Sequence, residues 1–174
     1  MRTLKVSGYV RVWAHEIGLT QRQIEARDPV AEGPNLIVDN GLDWIVKKLG
    51  HISGTPPIQV GGTTVTDLDD LQVAEIQLGN EANPAAPAAS DTALADNTPL
   101  ATYTTIAVTY PTASSVRFST TIAPNTINGE GVTEIGLFLS VSSTKILIGK
   151  RLFSPPIVIS PSTGYTAAYD IAVS

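Results

Sequence analysis

A chain of 174 residues has room for one compact domain, one that buries roughly two thirds of the surface its unfolded chain exposes. The absence of cysteine excludes disulfides, thiolate nucleophiles and cysteine zinc sites together, and no window approaches the roughly 18 to 20 apolar residues of a membrane-spanning helix. Lys and Arg number 11 against 16 Asp and Glu, a net charge of -5 with no clustered basic face, so a protein that binds nucleic acid through phosphate contacts is not expected.

Charged residues make up 16% of the chain, below the roughly 25% of an ordinary soluble domain. The deficit is local: between positions 82 and 129 the only charges are Asp91, Asp96 and Arg117, and after Arg151 only Asp170 follows. Charge keeps neighbouring molecules apart, so a surface of Ala, Thr, Ser and Val is weakly protected against association, and partners are expected to cover much of it.

In chain order, Met1-Arg2-Thr3-Leu4-Lys5 runs straight into strand-like sequence, which predicts a mature soluble chain without a signal h-region. Residues 4–14 alternate, with Leu4, Val6, Val10 and Val12 on one face and Lys5, Ser7, Tyr9 and Arg11 on the other, the pattern of a strand with one buried face. Residues 17–32 are charged and patternless and read as a loop or an N-terminal hairpin arm carrying residues 21–27. From Asn40 the spacing of Leu42, Ile45, Val46 and Leu49 predicts one short amphipathic helix over residues 40–49, with Asn40 as N-cap and Gly50 as C′ residue, packed against a sheet or closing one end of it.

Gly54-Thr55-Pro56-Pro57 breaks the chain, residues 67–71 suggest a turn, and residues 73–78 are again strand-like. Residues 79–99 form a long Pro/Ala-rich loop whose composition gives it little apolar surface to bury by itself. Strands are then predicted over 102–110, 115–122, 133–141, 145–153 and 165–173, with turns at Asn128-Gly129 and Ser142-Ser143 and an extended crossing marked by Pro155, Pro156 and Pro161. Together these predict a single, mostly β domain: an antiparallel β-sandwich, with the jelly roll as one form of it, plus the one helix.

Chemistry-bearing constellations are sparse. His15 and His51 lack a second ligand at helical spacing, Asp67, Asp69 and Asp70 lack the glycine and distal glutamate of a calcium loop, and Gly149-Lys150 lacks the glycine-rich run of a phosphate loop. No Gly-x-Ser-x-Gly elbow occurs, so no catalytic residue, cofactor or metal is assigned and no enzymatic activity is expected. Paired carboxylates are invisible in sequence, and Glu75, Glu130 and Glu134 could meet. Glu134 stands out because it lies between apolar neighbours on a strand expected to be internal, where a charge needs a partner, and Lys150 or Arg151 on the next strand can supply it.

Several segments carry a resemblance. Gly33-Pro34-Asn35-Leu36-Ile37-Val38-Asp39-Asn40-Gly41-Leu42, Ile76-Gln77-Leu78-Gly79-Asn80 with Ala88-Ala89-Ser90-Asp91-Thr92-Ala93-Leu94, Thr133-Glu134-Ile135-Gly136-Leu137-Phe138 and Gly149-Lys150-Arg151-Leu152-Phe153 resemble small structural proteins of tailed bacteriophages. The Glu-Ile-Gly-Leu-Phe element is similar to one near the end of the particle-attaching domain of phage tail fibres, which makes Glu134, Gly136, Phe138 and Arg151 the structural signature. The resemblance implies a virion protein assembled in the host cytoplasm, contacting copies of itself in a trimer or other symmetric oligomer and other virion proteins, with no nucleic acid and no membrane. Because the sequence ends at Ser174 without a fibre shaft, a tail, baseplate or fibre-attachment component is the leading expectation and a capsid decoration protein the alternative. Asn83, Pro84, Pro87, Asp91, Tyr103 and Tyr110 are the candidate interface residues. A third expectation is a carbohydrate-binding module stacking sugars on Trp13, Trp44 or Tyr103.

Overall fold

The computed structural model of the protein describes residues 5–50, 58–60, 63–65, 72–96, 98–127, 129–141 and 144–174. His51, the aspartates at 67, 69 and 70, Asn128 and the Ser142-Ser143 turn lie outside the described residues. The strands are β1 (Val6–His15), β2 (Ala31–Ile37), β3 (Ile58–Val60), β4 (Thr63–Val65), β5 (Val73–Gly79), β6 (Ala101–Tyr103), β7 (Ala107–Thr112), β8 (Ser115–Ile122), β9 (Gly131–Val141), β10 (Thr144–Val158) and β11 (Gly164–Val173). The helices are α1 (Gln21–Glu25) and α2 (Asp39–Gly50). The fold is mostly β and antiparallel, as the sequence pattern predicts.

Nine strands form one sheet in the order β6-β5-β9-β10-β2-β1-β11-β8-β7, and β3 and β4 make a separate hairpin. The edges β6 and β7 stand at opposite ends of that order although only residues 104–106 separate them in the chain. A flat sheet of nine strands at about 4.8 Å spacing would hold its edges about 38 Å apart, whereas the extended link from Tyr103 to Ala107 spans at most about 14 Å. The sheet therefore curls into a half-barrel. At its other bend β2 pairs with β1 over Ala31 to Asn35 and passes to β10 at Leu36 and Ile37. One curled sheet thus takes the place of two separate layers, and the single strand expected over 102–110 is a kinked crossing between its two edges.

The concave side holds one continuous apolar core. It takes Val10 and Val12 from β1, Ile76 and Leu78 from β5, Phe118 and Ile122 from β8, Ile135, Leu137 and Leu139 from β9, and Tyr169 and Ile171 from β11. The Tyr169 hydroxyl donates to the Ile135 carbonyl at 2.6 Å, tying two strands through the middle of this core. Burial of strands on both faces is what gives β9 its near-continuous run of buried residues.

Helix α1 covers part of the convex side, and helix α2 packs against the main core. Residues 17–32 are not an arm: Thr20 caps α1 with a reciprocal capping box to Gln23, and Ile24 packs with Leu19 over Trp13 and Ala168. Helix α2 begins one residue earlier than the spacing predicts, so Asn40 sits in its first turn, and the Gly41 position lies against the Ile148 carbonyl, where a Cβ would come within 2.2 Å. Trp44 and Ile45 face the core while Leu42 and Val46 are exposed, so the apolar stripe read from spacing is only partly buried. Pro155 and Pro156 lie within β10, in a stretch without paired partners between Leu152 and Ile157.

Candidate functional site

On β9 the residues alternate between the two faces of the sheet. Ile135, Leu137 and Leu139 enter the main core, and Glu134, Gly136 and Phe138 point to the convex side. There Phe138 joins Val38, Leu94 and Leu147 in a second apolar cluster, and Leu94 belongs to the long loop. A Cβ at Gly136 would press on Phe138, Leu94 and Leu147, all within 3.0 Å, so glycine is what lets the loop lie this close to the strand.

Glu134 is fully buried and anchors the loop. Its two oxygens accept the backbone N–H groups of Ala95 at 2.9 Å and Asp96 at 2.8 Å. Lys150, 3% exposed, brings its Nζ to 3.4 Å from Glu134 Oε2 and 3.3 Å from Asp91 Oδ2. The register sets Lys150 opposite Gly136 and Leu152 opposite Glu134, so the Glu134–Lys150 pair is diagonal across one face. Of the two cations that the sequence offered to Glu134, Lys150 takes the position. Arg151 points to the other side of the sheet, donates to the carbonyls of Pro34 and Glu32 at 2.8 and 2.7 Å, and lies over Gly33, where its guanidinium fills the space a Cβ would need.

The loop is further held where the Asp39 N–H donates to the Ala89 carbonyl at 2.8 Å and where Asp91 Oδ2 accepts the Ala88 N–H at 3.2 Å. The loop has little apolar surface of its own, yet residues 88–96 are bound to the sheet by buried charge, backbone donors and Leu94. Composition concealed this, because the partners that order the loop come from β9 and β10. Asn83 is exposed and Pro84 and Pro87 half-buried, while Asp91 is drawn into the Lys150 cluster. Tyr103 lies on β6 and Tyr110 on β7, the two strands that end the sheet order and that residues 104–106 join. The Tyr103 hydroxyl is buried without a hydrogen-bond partner, and burial raises the pKa of its phenol.

A second charged network lies over the convex side of β1, β11 and β8, and sequence spacing did not reveal it. Asp170 receives Arg117 through Nε at 2.6 Å and Nη2 at 2.9 Å and also pairs with Arg11. Arg117 reaches Glu25 of α1 at 2.7 Å and lies over the Trp13 ring, and Arg11 reaches Glu32 at 3.5 Å. The bonds to Asp170 raise the Arg117 pKa, burial opposes this, and Glu25 adds to the rise. A depression of about 700 Å³ lies here, lined in part by Glu25 and Asp170, and both carboxylates are occupied by guanidinium groups. Trp13 is 2% exposed and donates to the Arg27 carbonyl, so it offers no face to a sugar.

The three glutamates singled out from sequence are engaged separately: Glu75 with Lys145 at 2.8 Å, Glu130 with the Asn80 side chain, and Glu134 with Lys150. His15 is buried, its Nε2 3.0 Å from the Thr166 hydroxyl. Among the described residues no three His, Asp or Glu side chains group as metal ligands would. Compared with protein-family models, curated proteins and solved structures, the chain matches none.

Proposed function

We propose that this chain is a non-enzymatic structural subunit of a tailed-phage particle, a tail, baseplate or fibre-attachment component that associates through its sheet edge into a symmetric assembly. One observation carries the reading: β7 is exposed at all six positions, carries no charge, and ends the sheet order, paired among the described residues with β8 alone. Monomeric proteins blunt such edges with lysines, inward charges or covering loops. On β7 the blunting devices are Pro111 and the irregular register between Thr109 and Thr112, while Val108 and Tyr110 still stand in solvent at 49% and 77% exposure. The resemblance of residues 133–138 and 149–153 to phage structural proteins supplies the setting.

The test is the solution mass of the purified chain, by light scattering, for the parent and for Val108→Lys with Tyr110→Lys. The parent is expected to be a closed oligomer and the double variant to fall to monomer with its melting temperature nearly unchanged. A parent that stays monomeric up to high concentration refutes the reading. Labelling the chain in assembled particles then distinguishes a tail-axis position from the capsid surface, the position of a decoration protein.

A further inference from the structure

We propose that Lys150 and Asp91 condense into an intramolecular amide, with Glu134 as the proton-transferring group, so that the long loop is covalently stapled to β10. This does not depend on the assembly reading, since it concerns one chain alone. The geometry points to it in three ways. Lys150 Nζ stands 3.3 Å from Asp91 Oδ2, an oxygen one bond from the carbon it would attack, so the amine and the carboxyl are already held against each other. Glu134 Oε2 is 3.4 Å from the same nitrogen, and its carboxylate is fixed by the Ala95 and Asp96 amides, so it is positioned to take a proton from the amine without moving. The Ala88 N–H donates to Asp91 Oδ2, the oxygen on which negative charge builds when the nitrogen adds.

The step balances without any outside reagent. Glu134 takes a proton from the Lys150 ammonium, and the freed nitrogen pair forms a bond to Asp91 Cγ. The tetrahedral carbon then expels one oxygen, which leaves as water carrying two of the protons that began on Lys150, one of them returned by Glu134. Ammonium plus carboxylate becomes amide plus water, with no net proton change. Burial favours the step: Lys150 is 3% exposed beneath the loop, and desolvation makes its ion pair with Asp91 expensive to keep. Condensation removes the charges of Lys150 and Asp91, and the Glu134 carboxylate, having lost its cation, is then stabilised by the Ala95 and Asp96 N–H groups.

The deciding measurement is the intact mass of the full-length chain after incubation at neutral pH, followed by digestion. The parent is expected to weigh one water less than its sequence and to yield a branched peptide joining the Asp91 and Lys150 segments. Asp91→Ala, at a partly exposed loop position, Lys150→Arg and Glu134→Gln are each expected to show the full sequence mass. A parent at full mass that is cleaved after Lys150 overturns the proposal whatever the variants do. So does a water loss that maps elsewhere, such as a succinimide, or a Glu134→Gln chain that cross-links as completely as the parent.

Discussion

Asp170 is the hinge of the convex charge network, and Asp170→Asn tests whether that network holds α1 and β8 to the sheet. The substitution keeps the shape of the side chain and removes the one anion shared by Arg11 and Arg117. Arg117, with a side chain only 9% exposed, then keeps Glu25 alone, and two guanidinium groups face each other across an uncharged amide. Removing one partner of a buried ion pair costs about 3–5 kcal/mol, and the surviving contact to Glu25 places this case near the lower end. For a domain of this size each kcal/mol moves the midpoint about 2–4 °C, so a fall of about 6–12 °C is expected. Urea unfolding followed by tryptophan fluorescence suits the measurement, because Trp13 lies beneath Arg117. Arg117→Met added to Asp170→Asn removes the stranded cation and is expected to recover at least half of the loss. An Asp170→Asn chain within about 0.5 kcal/mol of the parent, the range of an ordinary surface change, would refute this reasoning.

Three further outcomes follow from the same coordinates. Glu134→Ala strands the Ala95 and Asp96 N–H groups at about 1–3 kcal/mol each, a cost that undocking of the loop relieves, so hydrogen exchange at residues 88–96 is expected to rise well before that of β9. Equal protection in parent and variant argues that Leu94, the Lys150–Asp91 pair and the Asp39 to Ala89 hydrogen bond hold the loop without Glu134. Gly41→Ala drives a methyl into the Ile148 carbonyl, a backbone atom that cannot swing aside, and is expected to lower the melting temperature despite the better helix propensity of alanine. Burial, reinforced by the Glu134 charge and opposed by Arg151, raises the Tyr169 pKa well above 10.0. Below that value the phenol is neutral in both folded and unfolded chains and its contribution is fully present. At higher pH the unfolded chain releases a proton that the folded one holds, so stability falls, and Tyr169→Phe is expected to flatten that alkaline slope in a melting series.

The alternation in residues 4–14 was enough to predict a strand with assigned faces, because period two is a local property of the chain. Leu42, Ile45 and Val46 likewise betrayed α2 by their spacing, although the exposure of Leu42 and Val46 depends on what the neighbouring segments cover. Glu134 was legible as a charge that required a partner, since apolar residues surround it in sequence. What sequence could not decide was which of two adjacent cations would serve. Lys150 and Arg151 differ by one residue and therefore by a face of the sheet, and only the register against β9 assigns the face.

Composition misread two segments for a single reason. Residues 17–32 and 79–99 look unstructured because their own side chains carry little apolar periodicity, yet α1 and residues 88–96 are held by groups on distant strands. Arg117 and Trp13 receive α1, and Glu134, Lys150 and Phe138 receive the loop. The strand content, the helix and the scarcity of charge are thus properties the sequence determines by itself, through short-range pattern and composition. The curling of the sheet, the place of β7 at the end of the sheet order and the meeting of Asp91, Glu134 and Lys150 belong to tertiary structure. Each depends on contacts between residues far apart in the chain, which no local periodicity encodes.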